Sequence, residues 1–281
     1  MELNLSEINL ACGSSNGLKK SIKAWELVNN KKLLDNEREM MHGSTVNGHR
    51  LEIVNGVFPE NFISEFPLPG YSLLKMESHE DELFYDSIGK AVDFIWSNFG
   101  NEQKNLIKHL SVIFPVTNLG HERQITSLSV PNYPFSCFIS KNAAFHLAPD
   151  IINREGGVFY LAENIFHEMV HNQVNIDLLE LDLLHPSYNS DDSPKIEIEW
   201  RRTSNNTKQT WQVDRAVHAL WVYSYLVKFR YFCNTKKPTL FTEKMIDDAK
   251  SKANYLQLQL LKLKSMLTSE GVDYIASATH I

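Results

Sequence analysis

His167 and His171 stand four residues apart, with Glu168 directly after the first, in the stretch HEMVHNQV. On a helix, residues four apart lie one turn above each other on one face, so both imidazoles can point at a single metal ion. Glu168 is next to them, where it can act on a water held by the metal or hydrogen-bond a ligand. The same segment carries Phe159, Leu161, Ala162, Ile165, Phe166, Met169, Val170 and Val174. A helix this apolar is mostly buried, and buried histidines need partners, which favours a metal pair over two polar residues on an ordinary face.

A metal needs a third protein ligand. One zinc-peptidase pattern continues after the second His with x-x-Gly-x-x-His or Asp. Here those positions hold Val174 and Asp177, and Val does not readily take the left-handed turn that Gly supplies. Another pattern takes a Glu from a following helix, but Glu197 and Glu199 lie in IEIEW, which reads as a strand or extended loop with a solvated alternating face. The segment TWQVDRAVHALWVYSYL offers His218 among apolar residues, with Arg215 three positions earlier on the same face. A buried Arg wants an anion. His218 is thus the candidate third ligand, Asp214 the alternative, and Arg215 the candidate grip for an anionic co-substrate.

The elements around these residues are legible as patterns. Val158 to about Leu179 reads as one helix after Gly156-Gly157, and Gln209 to Phe232 as another. Leu18–Leu34 and Glu80–Phe99 read as amphipathic helices, the second ended by Gly100. The last long helix is expected from Thr242 to Leu267, its line of Ala249, Ala253, Leu256, Leu260, Leu263 and Leu267 forming core, with a dimer seam as the alternative. His109–Val116 reads as a buried strand, with further strands at Ser127–Val130, Ser136–Ile139 and Ala143–Leu147. Val46–Val57 is a strand pair or a turn-rich connector. The fold expected is α+β: a zincin-like HExxH helix beside a small, mostly antiparallel sheet, with several further helices. Residues 1–281 are expected to form a single domain, with 1–108 as a mainly helical N-terminal lobe and 109–281 as the metal-binding lobe.

Composition narrows the function classes. A net charge of −6 without a Lys/Arg run argues against nucleic acid as partner. No stretch approaches the roughly 18 apolar residues of a membrane span, and the start, MELNLSEINLACGSSNG, has no basic n-region or apolar core of a signal peptide. Cys12, Cys137 and Cys233 are odd in number and scattered, as expected of reduced thiols in a cytoplasmic protein.

FHLAPDII, then LAENIFHEMVHNQV, then the run to WQVDRAVHALWVY resemble the HExxH-type peptide-modifying enzymes found with ribosomally made peptide natural products. The resemblance spans roughly 136–229 and rests on the HExxH together with Asn172 and the later Arg-x-x-His. It implies an iron(II)- and 2-oxoglutarate-dependent oxygenase that hydroxylates a side-chain β-carbon in a precursor peptide. It implies iron(II) on His167, His171 and His218, the far carboxylate of 2-oxoglutarate on Arg215, and Glu168 orienting a ligand or the co-substrate. Related oxygenase sites commonly use two His and one carboxylate, so a carboxylate such as Asp214 stays open as third ligand. The peptide is expected to lie as an added strand along Ser136–Leu147. The competing expectation is a zinc metallopeptidase with Glu168 as general base. A structural zinc would need a Cys-rich set that the chain lacks.

Overall fold

VIFPVTN forms the strand on which the sheet is built, β4 (Val112–Asn118). Val112, Ile113, Phe114 and Val116 are each at most 1% exposed, the unbroken apolar run of a strand covered on both faces. The computed structural model describes residues 17–46, 51–66, 70–99, 106, 109–118, 125–147, 151–152, 157–201 and 209–278. The expected helix stop at Gly100 lies outside the described residues, as does Cys12. The chain divides into two compact units, residues 1–172 and 173–281.

In the first unit β4 is joined by β1 (Met41–Thr45), β2 (Glu52–Gly56), β3 (Tyr71–Leu73), β5 (Ser127–Leu128) and β6 (Ser136–Ser140), in the order β1-β2-β4-β6-β5 with β3 also on β4. The β2–β4 and β4–β6 pairs are parallel, and the remaining pairs are antiparallel. The sheet is therefore mixed, and the expected mostly antiparallel arrangement is corrected at its centre. Parallel neighbours need long crossovers. The β2-to-β4 connection contains α3 (Glu60–Ile63) and α4 (His79–Asn98), which follow α1 (Gly17–Asn29) and α2 (Asp35–Arg38) in the chain.

Pro115 sits in the middle of β4 without breaking it. Its carbonyl accepts from Leu74 N at 2.8 Å. In a strand the N–H and C=O of one residue point to the same side, so the missing N–H faces the β2/β3 side. There β2 pairs only with Val112 and Ile113, and β3 only with Val116 to Asn118. The proline thus falls in the gap and costs no bond to β6.

Alternate residues of β4 face opposite ways. Val112, Phe114 and Val116 join an aromatic cluster with Trp25 of α1, Phe58, Phe62, Tyr133 and Phe138. α4 opens with a capping box in which Ser78 Oγ accepts from Asp81 N, and Asp81 Oδ2 accepts from Ser78 N at 2.9 Å. Asp81 also takes Lys141 Nζ at 2.6 Å, which ties this helix start to the segment after β6. α4 then packs by Phe94 on Phe159 and Phe99 on Phe166, ring centroids 5.0 and 5.4 Å apart.

Strands from the first 108 residues lie in one sheet with later strands, so residues 1–108 are not a separate helical lobe. The division falls at Asn172–Gln173 rather than at the expected 108/109. Ala143–Leu147, read as a strand, is largely a 3-10 turn, Lys141–Ala144, followed by β7 (His146–Leu147) paired with β8 (Ile151–Ile152). Ser140 Oγ accepts from Asn142 N and starts that turn.

α5 (Val158–Glu180) follows Gly157, whose φ of 146° is open to glycine alone. In the second unit, β9 (Ile196–Glu197) pairs with β10 (Thr210–Trp211), and α6 (Val213–Lys236) packs against α7 (Glu243–Lys262). Ala249, Ala253, Leu256 and Leu260 are buried within the unit, so the expected apolar line is core rather than a dimer seam. The helix stops at Lys262, short of the expected Leu267, and a further short helix, α8 (Ser269–Ser277), follows that was not among the expected elements. Thr268 caps α8 from its side chain. Among the described residues no helix is long and apolar enough to cross a membrane.

Candidate metal centre

α5 carries the motif in mid-helix, and its sequence explains how it is held. Asn164, Glu168 and Asn172 recur every four residues and form one stripe. Each is 3% exposed, and each is hydrogen-bonded out of the helix. Asn164 Nδ2 donates to Ala143 O at 2.9 Å and His146 O at 2.8 Å. Glu168 Oε1 accepts from Ser127 Oγ at 2.6 Å. Asn172 Nδ2 donates to Ser129 Oγ at 3.1 Å and Ser136 O at 3.0 Å. The stripe fastens the helix to β5, β6 and the turn after β6. Ser127, Ser129 and Asn164 were not among the expected site residues. The four-residue recurrence of polar side chains on an apolar helix is the signal that marks Asn164.

His167 and His171 occupy the neighbouring stripe, about 100° round the axis. Their Nε2 atoms approach to 3.0 Å. Without a cation, one ring must donate its Nε2 proton to the other. With a cation, both can present lone pairs to it. Nitrogens 3.0 Å apart, each bound at about 2.0–2.1 Å, subtend about 95° at a shared metal ion. That is near the right angle of adjacent octahedral positions and narrower than the roughly 109° of a tetrahedron. The pair therefore fits two adjacent positions of a metal. Glu163, 2% exposed, stands one turn before His167 on this stripe. Among the described residues, no group of three or more His, Cys, Asp or Glu is gathered to hold a metal.

Glu168 is turned towards the sheet rather than along the histidine stripe. Its Oε2 is buried without a hydrogen-bond partner, and burial pushes its carboxyl up to about 7 against the pull of Ser127 and Ser129. The charge of Glu168 reaches Cys137 of β6, whose thiol burial also drives up. β6 itself lies between β4 and β5 with all five residues buried. β6 is thus not an edge strand, which corrects the earlier expectation for Ser136–Ser140; β5 is the terminal strand on this side.

Asp177 stays on the continuing helix. It is held by Tyr274 Oη at 2.6 Å and by Gln173, with its pKa raised by burial. Six residues beyond His171 it is about 240° round the axis from that histidine. Glu197 and Glu199 are exposed and alternate with buried Ile196 and Ile198, as expected of them.

Arg215 and His218 are placed by α6 in the second unit. Arg215 lies over the Trp211 ring, 5.1 Å from its centroid, and makes no hydrogen bond or ion pair among the described residues. Burial and the charge of Arg201 lower its pKa, while Asp214 opposes them. The Asp214 carboxylate is engaged by Tyr188 Oη at 2.7 Å. Burial lowers His218 to about 4, so its imidazole is neutral near pH 7, the form that ligates metal. No protein-family model matches the chain, and no curated protein matches it significantly.

Proposed function

We propose that the protein is an iron(II)- and 2-oxoglutarate-dependent oxygenase that hydroxylates a side-chain β-carbon in a ribosomally made precursor peptide. Arg215 carries this reading. It is a half-buried guanidinium that makes no ion pair among the described residues, one turn before a neutral histidine on the same helix. A small dicarboxylate has use for such a cation, whereas peptide hydrolysis does not require one. His167 and His171 would hold iron(II), with His218 as third ligand. When bound, the metal supplies the coupling of dioxygen to 2-oxoglutarate decarboxylation, so that dioxygen, 2-oxoglutarate and substrate C–H give succinate, carbon dioxide and C–OH. The protein's own contribution is positional. Asn164 and Asn172 fix the helix, and Ser127 holds Glu168 against β5, where it braces the histidine-bearing turn.

A zinc metallopeptidase is the second reading. One observation favours it: the Glu168 carboxyl sits at about 7, where a general base works well. Against it stands the burial of both Glu168 and its unpartnered Oε2.

The deciding experiment is anaerobic loading of the apo-protein with iron(II), followed by 2-oxoglutarate. The oxygenase reading expects a weak visible charge-transfer band and, on admitting air, succinate in step with oxygen uptake. Neither signal, together with zinc-dependent peptide cleavage lost in Glu168→Gln, would replace it with the peptidase.

A further inference from the structure

Trp221 of α6 is buried, and its Nε1 has no hydrogen-bond partner. An indole N–H inside a protein ordinarily finds an acceptor. The ring meets two phenols instead. Tyr274 of α8 lies against it with centroids 4.6 Å apart, and Tyr225, one turn further along α6, with centroids 5.8 Å apart. Tyr274 Oη donates to Asp177 Oδ2 of α5 at 2.6 Å, and Gln173 donates to the other carboxylate oxygen. Both tyrosines are partly exposed. All of these residues belong to the second unit, as does His218, which precedes Trp221 by three positions on α6 and shares its face.

This order suits the stepwise loss of one electron. An indole radical cation that can release its N–H proton is trapped as the neutral radical, a weaker oxidant. Trp221 has no acceptor for that proton, so its radical cation keeps its oxidising power. A phenol gives up its electron readily when its proton can leave at the same time, and the Tyr274 proton has a base within one short, charge-assisted bond. Burial raises the Asp177 carboxyl, which makes it the better base. Burial and the charge of Asp177 raise the Tyr274 phenol, so at rest the proton stays on Tyr274.

We infer that Trp221, Tyr274 and Asp177 form a relay that carries an oxidising equivalent from the His218 face of α6 to the partly exposed Tyr274. The inference rests on the oxygenase reading for its oxidant, the one generated from dioxygen and 2-oxoglutarate at iron when no peptide is at hand. Trp221 gives one electron to that oxidant and becomes the radical cation. Tyr274 then gives one electron to Trp221 and its phenolic proton to Asp177, so the O–H bond breaks and a carboxylic acid forms. The neutral tyrosyl radical takes an electron from a soluble thiol or ascorbate and regains the proton from Asp177. The site is thereby spared oxidation of its own ligands.

The relay is tested first on the metal-free full-length protein. A laser pulse photoionises the indoles, hexaammineruthenium(III) collects the electrons, and transient absorption and freeze-quench EPR follow the radicals. In the wild type a tryptophan radical should decay at a rate independent of protein concentration while a tyrosyl radical rises. Trp221→Phe and Tyr274→Phe should each remove most of that tyrosyl signal, and Tyr225→Phe should keep it. Asp177→Asn and deuterated solvent should each slow its rise several-fold. An unchanged tyrosyl signal in both Trp221→Phe and Tyr274→Phe would overturn the relay. Loss in Tyr225→Phe alone would overturn the assignment to Tyr274. A rise unaffected by Asp177→Asn and by deuterated solvent would overturn proton transfer to Asp177. Should Trp221→Phe fail to fold, Tyr274→Phe and the solvent isotope effect decide. The protein is then loaded with iron(II) and 2-oxoglutarate and given air without peptide, where a tyrosyl radical absent from Tyr274→Phe is expected. Succinate formed without that radical would overturn the protective role. The photochemical relay together with neither succinate nor a radical in the loaded protein would leave the relay standing and remove the oxygenase.

Discussion

Asn172→Asp is close to isosteric and reverses the hydrogen-bonding sense of one buried group. In the wild type, Asn172 Nδ2 donates towards Ser129 Oγ, Ser136 O and Glu168 O at 3.0–3.1 Å. An ionised aspartate offers acceptors to the same three acceptors. Ser129 can turn its hydroxyl to donate, but the two carbonyls cannot. Each lost donor bond costs about 0.5–1.5 kcal/mol, and the larger part of the cost is the buried carboxylate that now faces two carbonyl oxygens. The loss is therefore about 3–5 kcal/mol near pH 7, a large part of the 5–15 kcal/mol that separates folded from unfolded domains. Asn172→Ala removes the donor without adding charge and should lose about 2–3 kcal/mol. Protonation of the new carboxyl restores one donor, so the Asp variant should recover part of its deficit as pH falls. The assay is urea unfolding read by hydrogen exchange in peptides that cover the motif helix up to Asn172, which reports this unit separately. An Asp variant within about 0.5 kcal/mol of wild type near pH 7 would mean that the clamp is not made, since that is the range of neutral surface changes.

His167→Ala and His171→Ala should each abolish stoichiometric iron(II) binding in equilibrium dialysis, and full metal retention in either would refute the pair. Gly271→Ala should destabilise α8 by about 3 kcal/mol or more, because the added Cβ would meet Leu183 O at 2.0 Å. Gly89→Ala in α4 meets nothing within 4 Å and should raise stability by up to about 1 kcal/mol; thermal melts that ranked the two substitutions alike would refute this packing. Lys141 and Ser78 hold the Asp81 carboxyl down to about 2. A carboxyl depressed on folding adds stability above its ordinary value near 4 and loses it as pH falls towards the folded value. Acid titration of Asp81→Asn should therefore be flatter between about pH 4 and 2, and an unchanged acid profile would remove the capping box from the account.

How much of this was legible in the sequence depends on the range of the cause. The motif helix reads correctly because its apolar residues recur at helical spacing and Gly157 precedes them. The exposed Glu197 and Glu199 read correctly because the alternation with Ile196 and Ile198 is local, although only Glu197 lies in a strand. Ala143–Leu147 misleads because a short apolar run does not distinguish a strand from a turn, and the Ser140 hydroxyl favours the turn. The parallel centre of the sheet leaves no local mark, since β2 and β4 meet only across a crossover. Asn172 is visible as a buried polar position, but its partners Ser129 and Ser136 are 43 and 36 residues away in sequence. The Trp221–Tyr274–Asp177 group is likewise assembled from three helices, and its tryptophan looks like core when read alone.

β4 has a consequence for the order in which the first unit can be built. Among the described strands it is the one on which β2, β3 and β6 all pair. As the chain leaves the ribosome, the β1–β2 hairpin can close by itself, but the outer side of β2 and the paired side of β3 have no template until residues 112–118 emerge. Non-local parallel pairing of this kind is slow and leaves strand edges open to other chains meanwhile. The histidine-bearing helix is synthesised later still, onto a sheet whose centre is already available. Its polar clamp is thus among the last parts of the unit to form.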